Sequence, residues 1–173
     1  MSSDPRGGSF TLHVAETPQL VSIARTLVAE YAALPHTVGR WPTAAADIAA
    51  LPGPYVPPNG VLLVALEAGQ VGEPTPEIAL GCGALGALST PRVAELKRIY
   101  VRPHARGRGL GKAITLALIE WADALGFDRV RLDTAPELMV ARALYTQLGF
   151  IPIPPYREGL LADAVCMERA VRV

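Results

Sequence analysis

Glu95-Leu-Lys-Arg-Ile-Tyr-Val-Arg-Pro-His-Ala-Arg-Gly-Arg-Gly-Leu-Gly-Lys-Ala113 decides how this chain is read, because it passes from a strand through a glycine-rich turn into a helix. Glu95 to Val101 is apolar and β-branched enough for a strand, and Pro103 stops it because proline cannot donate to a sheet ladder. Leu110, Ile114, Ala117, Trp121 and Ala124 then recur at helical spacing. Gly107, Gly109 and Gly111 therefore fall where the backbone bends and turns its N–H groups outward, at the positive end of a helix dipole. Such a junction suits an anion, most simply a pyrophosphate.

Spacing narrows the choice. A nucleotide P-loop, G-x-x-x-x-G-K-S/T, would need glycine at Arg106 and a hydroxyl at Ala113. The dinucleotide pattern G-x-G-x-x-G, counted from Gly107, would place its third glycine at Lys112. What remains is R-x-x-G-x-G, written Arg106-Gly107-Arg108-Gly109-Leu110-Gly111. A basic surface turn shows the same short pattern; the strand before it and the helix after it favour the anion site. The motif resembles the acyl-CoA signature of the GNAT N-acetyltransferases, Gln/Arg-x-x-Gly-x-Gly/Ala between a strand and a helix.

The chain has 173 residues, half of them apolar, enough for one ordinary domain with a sizeable core. Sixteen basic residues balance sixteen acidic ones, which gives no general reason to expect nucleic acid or an anionic membrane as partner. A nucleic-acid reading through Arg102, Arg106, Arg108 and Lys112 is weak for that reason. Two cysteines, Cys82 and Cys166, and three scattered histidines supply neither a disulfide framework nor zinc spacing, so no metal is expected. No apolar run approaches the ~20 residues of a membrane span, and Met1 to Ser9 lacks an apolar signal core. The expected compartment is the cytoplasm.

In order, residues 1–9 read as a disordered lead, and residues 10–173 as a single domain. Strands are predicted over Phe10–Val14, Val61–Leu66, Ile78–Leu88, Glu95–Val101, Arg129–Leu132, Phe150–Ile153 and Leu160–Glu168. Helices are predicted from Pro18 to about Ala33, from Thr43 (as N-cap) to Leu51, over Leu110–Leu125 and over Glu137–Leu148. Pro52 to Gly60 is a stiff loop, either a connector or a wall of the acceptor pocket.

This order resembles the GNAT acyl-CoA N-acyltransferase fold, an α/β (α+β) arrangement with a mixed, mostly antiparallel sheet, helices on both faces and a splayed central strand pair. The likeness extends to bacterial small-molecule or uncharacterised acetyltransferases of that superfamily through Leu51-Pro-Gly-Pro-Tyr55, Glu95 to Pro103, Arg131-Leu-Asp-Thr134 and Leu144-Tyr145 through Tyr156. Two departures concern the acceptor: relatives often continue with a second tyrosine and Asn-Pro where this chain has Arg157-Glu158-Gly159, and many carry an arginine near Gly86.

The resemblance implies an acetyl-CoA-dependent transfer of an acetyl group to a primary amine of a small molecule or protein, with no metal. Arg106, Gly107, Arg108, Gly109, Leu110, Gly111, Lys112 and Ala113 would hold the CoA pyrophosphate, and the Ile99-Tyr100-Val101 backbone would pair with pantetheine as an added strand. Tyr145 matches the family tyrosine that meets the departing sulfur; spacing alone makes it a core aromatic, and the motif L-Y-x-x-L-G-F reverses that preference. Glu95 lies at the offset where lysine acetyltransferases of the superfamily carry a glutamate base, and is equally a strand carboxylate paired with Lys97 or Arg98. The competing class is a non-catalytic acyl-CoA-binding module. A homodimer is a candidate assembly.

Overall fold

The computed structural model describes residues 9–69 and 73–172, so the expected N-terminal lead lies almost wholly outside the described residues. In chain order the elements are β1 (Phe10–Val14), α1 (Pro18–Ala32), α2 (Ala44–Ala49), β2 (Gly60–Glu67), β3 (Ala79–Ala87), β4 (Val93–Val101), α3 (Leu110–Ala124), β5 (Arg129–Thr134), α4 (Met139–Gln147), β6 (Ile151–Ile153) and β7 (Val165–Ala170). The strands form one sheet in the order β1-β2-β3-β4-β5-β7-β6, in which only β4 and β5 run parallel.

Both faces of the sheet are covered, which is why β2 and β3 read as unbroken apolar runs rather than alternating ones. On one face α1 buries Ile23, Ala24, Leu27 and Val28 against Leu62, Val64, Cys82 and Tyr100. Its start is fixed by Pro18 in the first turn and by the Thr17 hydroxyl, which accepts the Leu20 N–H at 3.2 Å. On the other face α3 sets Leu110, Ile114 and Leu118 against Leu63, Leu85, Leu96 and Val130. Gly83 permits that close approach, since a Cβ there would come within 2.5 Å of Ile114 Cγ2. Truncating Leu118 to alanine in this contact would cost about 2–5 kcal/mol.

Two irregularities in β4 make the site. Cys82 pairs with Tyr100 and Ala84 with Lys97, so three steps on β4 oppose two on β3, and Arg98 takes a φ of 56° within that bulge. Beyond it, parallel pairing with β5 covers only Val93–Glu95 against Arg129–Arg131. β4 then continues to Val101 along β3 while β5 continues to Thr134 along β7, and the two strands part.

Several boundaries differ from the sequence reading. α2 starts where expected, with Thr43 at the N-cap position and its hydroxyl donating to Asp47 (2.9 Å), but stops at Ala49 rather than Leu51, because the residue before Pro52 is biased away from the helix. α4 begins at Met139 rather than Glu137, since Leu138 is non-helical and Arg142 holds the Pro136 carbonyl in the preceding turn. β5 runs on through Asp133 and Thr134, and β7 begins at Val165, because the apolar run from Leu160 is diverted into turns that face the parted strands.

Candidate active site

A cavity of about 430 Å³ opens where β4 and β5 separate. Leu138, Ala141 and Tyr145 line it from the α3/α4 face, Tyr31, Trp41 and Asp47 from the α1/α2 face, and Lys97, Ile99 and Asp133 between them. With walls from both faces, the cavity passes through the sheet. The β4 edge that turns toward β5 has no strand partner beyond Glu95, so Ile99, Tyr100 and Val101 present main chain there. The Tyr100 ring itself is buried on the α1 side, its hydroxyl donating to Glu30 at 3.2 Å.

At one end of this edge lies the glycine turn. Gly107 and Gly109 have φ of 77° and 80°, and Gly109 occupies the N-cap of α3 with no side-chain cap. A Cβ on either would meet nothing within 4 Å, so the space over the turn is open. The helix therefore begins with main-chain donors that no side chain covers, the condition an anion site requires. Leu110 is buried and Ala113 packs on the core, its N–H donating to the Gly109 carbonyl at 3.0 Å; both hold the turn rather than face outward. The four basic side chains divide in two pairs. Arg102 is held by Glu30 (2.6 Å) and Arg108 by both oxygens of Glu67 (3.0 and 2.8 Å), whereas Arg106 and Lys112 are exposed, Arg106 Nε donating to the Val101 carbonyl at 3.3 Å.

Tyr145 is a core residue and a cavity residue at once. Its ring packs edge-on against Phe150 at 5.7 Å and is 8 % exposed, yet it lines the cavity. Burial pushes its phenol well above the ordinary tyrosine range, and the nearby Tyr31 and Asp133 add to the rise. The hydroxyl therefore stays protonated and serves as a donor.

Glu95 does not line the cavity. Its Oε1 accepts from the Tyr156 hydroxyl (2.6 Å) and Arg157 Nε (2.8 Å), and Lys97 Nζ stands 3.2 Å from Oε2. Burial opposes its ionisation, but Lys97, Tyr156 and Arg157 outweigh that and hold the carboxyl below the usual range. It is a well-satisfied anion one layer behind the wall. The carboxylates that do line the cavity are Asp133, 3.4 Å from Arg157 Nη2, and Asp47.

The acceptor side was largely invisible in sequence. Arg98, turned by the bulge, stacks on the Trp41 ring at 3.4 Å, while Trp41 Nε1 donates to Asp47 at 2.7 Å. Asp133 sat inside the quoted Arg131-Leu-Asp-Thr134 motif, and Arg157 within a noted departure; these were the only signals available. Of the two departures, Arg157 lines the cavity and Gly86 does not, because the Tyr55 ring covers it, 3.1 Å from where a Cβ would stand. The loop 52–60 contributes none of the lining residues, though its Tyr55 lies beside the cavity residue Arg98.

An open sheet parted at its centre, with an uncapped helix start on one side and a mixed polar chamber on the other, defines a site for two substrates meeting through the sheet. The chain belongs to the acetyltransferase (GNAT) family, acyltransferase enzymes whose family model matches residues 23–150. An uncharacterised N-acetyltransferase of Schizosaccharomyces pombe is 35% identical over 114 residues, 66% of this chain and 66% of that protein. Among solved structures, a GNAT-family acetyltransferase from Staphylococcus aureus Mu50 superposes with a TM-score of 0.74 at 16% identity, covering 95% of this chain and all of the other. A Bacillus subtilis acetyltransferase in complex with CoA superposes with a TM-score of 0.64, also at 16% identity, over 94% and 99% of the two chains. Among the described residues no helix is long and apolar enough to cross a membrane.

Proposed function

We propose that this chain transfers an acetyl group from acetyl-CoA directly to a primary amine. The observation that carries the reading is the cavity between the parted β4 and β5, where the open β4 edge meets the buried Tyr145 hydroxyl and Asp133, with the uncapped α3 start beyond one end of that edge. Arg106 to Ala113 would hold the pyrophosphate through main-chain donors, with Arg106 and Lys112 adding charge. Acetyl-CoA supplies the activated acyl carbon and a thiolate leaving group.

The residues of the cavity then divide the remaining work. Ile99 and its neighbours offer backbone N–H groups along the open edge, the means to stabilise a developing oxyanion. Asp133 is the carboxylate placed to accept the proton released as the amine nitrogen bonds to the acyl carbon. Glu95 lies behind the wall, so its direct part is to fix Arg157 and Lys97 there. Tyr145 donates a hydrogen bond to the sulfur as the carbon–sulfur bond breaks. A donor pushed above the ordinary phenol range is a poor source of a whole proton, so solvent completes the protonation of the thiolate.

Thiol release from acetyl-CoA across a panel of amines tests the proposal. Amine-dependent release, lost in Asp133→Asn and Tyr145→Phe, is the expected result. A tight acetyl-CoA complex with no release on any amine would instead identify a binding module.

A further inference from the structure

Lys97 and Arg98 are adjacent residues at the β4 bulge, and both line the cavity. Both are largely buried, with side-chain exposures of 20% and 15%. Among the described residues Lys97 Nζ has one ion-pair contact, Glu95 at 3.2 Å, and that carboxylate already serves Tyr156 and Arg157. Arg98 faces Asp47 at 3.7 Å, beyond hydrogen-bond reach, and the Oδ2 it approaches is taken by Trp41 and Thr43. Two largely buried cations thus line the cavity, Lys97 sharing Glu95 with two other donors and Arg98 lying near the Tyr55 hydroxyl as well as Asp47.

A third donor lies in the same wall. Thr37 is 7 % exposed, and its hydroxyl has no hydrogen-bond partner, the Tyr31 hydroxyl beside it lying outside hydrogen-bond geometry. Buried polar groups are normally satisfied, and two cations with a hydroxyl in one chamber suit the binding of an anion. Arg98 is held flat by Trp41, so its planar fork is preorganised for the two oxygens of a carboxylate.

Resting on the acetyltransferase reading above, we infer that the acceptor is a small amino acid-like molecule whose carboxylate sits on Arg98 and Lys97 while its amine turns toward Asp133 and Tyr145. About 430 Å³ must hold both the acyl end of the donor and the acceptor, which favours a free small molecule over a protein side chain. The same cations serve the chemistry. A positive wall disfavours the ammonium form of the acceptor, and so raises the fraction of neutral amine at a given pH. A polyamine or a lysine side chain, cationic at its far end as well, would meet repulsion there.

The test uses the full chain with acetyl-CoA, taking the common L-amino acids and their α-carboxamides as acceptors. Thiol release is one readout, and thermal shift by each compound in the presence of CoA is the other. At least one free amino acid should exceed its carboxamide by about tenfold or more in kcat/KM or in binding, the scale of a charged hydrogen bond. Arg98→Gln should bring that ratio close to one, and Lys97→Met should reduce it; Lys97→Met decides the matter if Arg98→Gln does not fold. Carboxamides favoured over acids, an acid preference unchanged in the variants, or a panel with neither turnover nor shift would each overturn the inference. Acetyl-CoA binding and release with other amines are scored in the same preparation. They survive if only the carboxylate preference fails, whereas loss of both sinks the acetyltransferase reading itself.

Discussion

Gly109 and Gly111 flank one peptide step at the start of α3, and the structure predicts opposite consequences for adding a methyl group to each. Gly109 has φ of 80°, so Gly109→Ala forces a left-handed alanine and should destabilise the unliganded protein by about 1–2 kcal/mol. Gly111 lies in the first helical turn, and a Cβ there meets only Leu144 Cδ2 at 3.7 Å, an ordinary contact. Gly111→Ala should therefore stabilise the unliganded protein by up to about 1 kcal/mol through helix propensity. In a chain of this size that is roughly 2–4 °C in Tm. Acetyl-CoA at 100 times its dissociation constant should add about 2.7 kcal/mol to wild type. If the pyrophosphate rests against the main chain of this turn, Gly111→Ala, which falls at the Gly/Ala position of the motif, should keep the acetyl-CoA shift, whereas a folded Gly109→Ala, with its left-handed turn strained, should lose much of it. Differential scanning fluorimetry with and without ligand measures both. A folded Gly109→Ala with the full acetyl-CoA shift would refute the assignment of the turn as the anion cradle.

Other expectations follow from the same geometry. Tyr145→Phe should lower turnover by about tenfold to a hundredfold with acetyl-CoA binding intact; an equal rate, with chemistry shown to be rate-limiting, would return Tyr145 to a packing role. Asp133→Asn should slow the reaction more than Glu95→Gln at neutral pH, with part of the loss recovered at higher pH; the reverse order, read from pH–rate profiles, would make Glu95 the base. The phenol of Tyr145 should remain protonated well above pH ~10, so a tyrosinate signal from it at the ordinary tyrosine value would contradict its burial. Glu30 and Glu67 are held low by hydrogen bonds from Arg102 and Arg108, and Glu95 and Glu168 by partners that outweigh their burial. Their folded values lie below the unfolded ones, so their contribution is complete above about pH 4.3 and is lost as pH falls through the lower folded values. Urea midpoints measured from neutral to acid pH should decline along that limb, and Glu95→Gln should flatten it.

The glycine turn and the sheet were legible because they rest on local rules. Pro103 ends β4, the glycines of 107–111 supply the φ values that a turn into a helix needs, and Ile114 and Leu118 repeat at helical spacing. Element boundaries failed where a long-range partner outbid a local signal. Leu160 looked like a strand start and belongs to turns whose Asp163 reaches Arg40 (2.7 Å). The acceptor chamber was illegible for the same reason, since Trp41, Arg98, Asp133 and Arg157 come from four separate segments. Only the departure at Arg157 pointed there, through comparison with the family pattern rather than through any periodicity. Glu95 shows the converse: its offset marked a base, but offset carries no information about the three donors that surround it.

One inserted residue accounts for much of what the site can do. Without the bulge at Arg98, β4 would keep its register with β3, and Arg98 would leave the sheet face on which it stacks on Trp41. With it, Lys97 and Arg98 both enter the acceptor side while Ile99 still packs toward α3, where its Cγ1 would stand 3.4 Å from a Cβ at Gly83. The same local twist accompanies the divergence from β5, and that divergence leaves the main-chain edge that the proposed donor requires. Donor edge and acceptor charge are therefore coupled through a single irregular step. A change that restored regular pairing in β4 would be expected to remove both together rather than either alone, and a β4 variant that lost its acid preference while keeping full acetyl-CoA affinity would show the two to be separable.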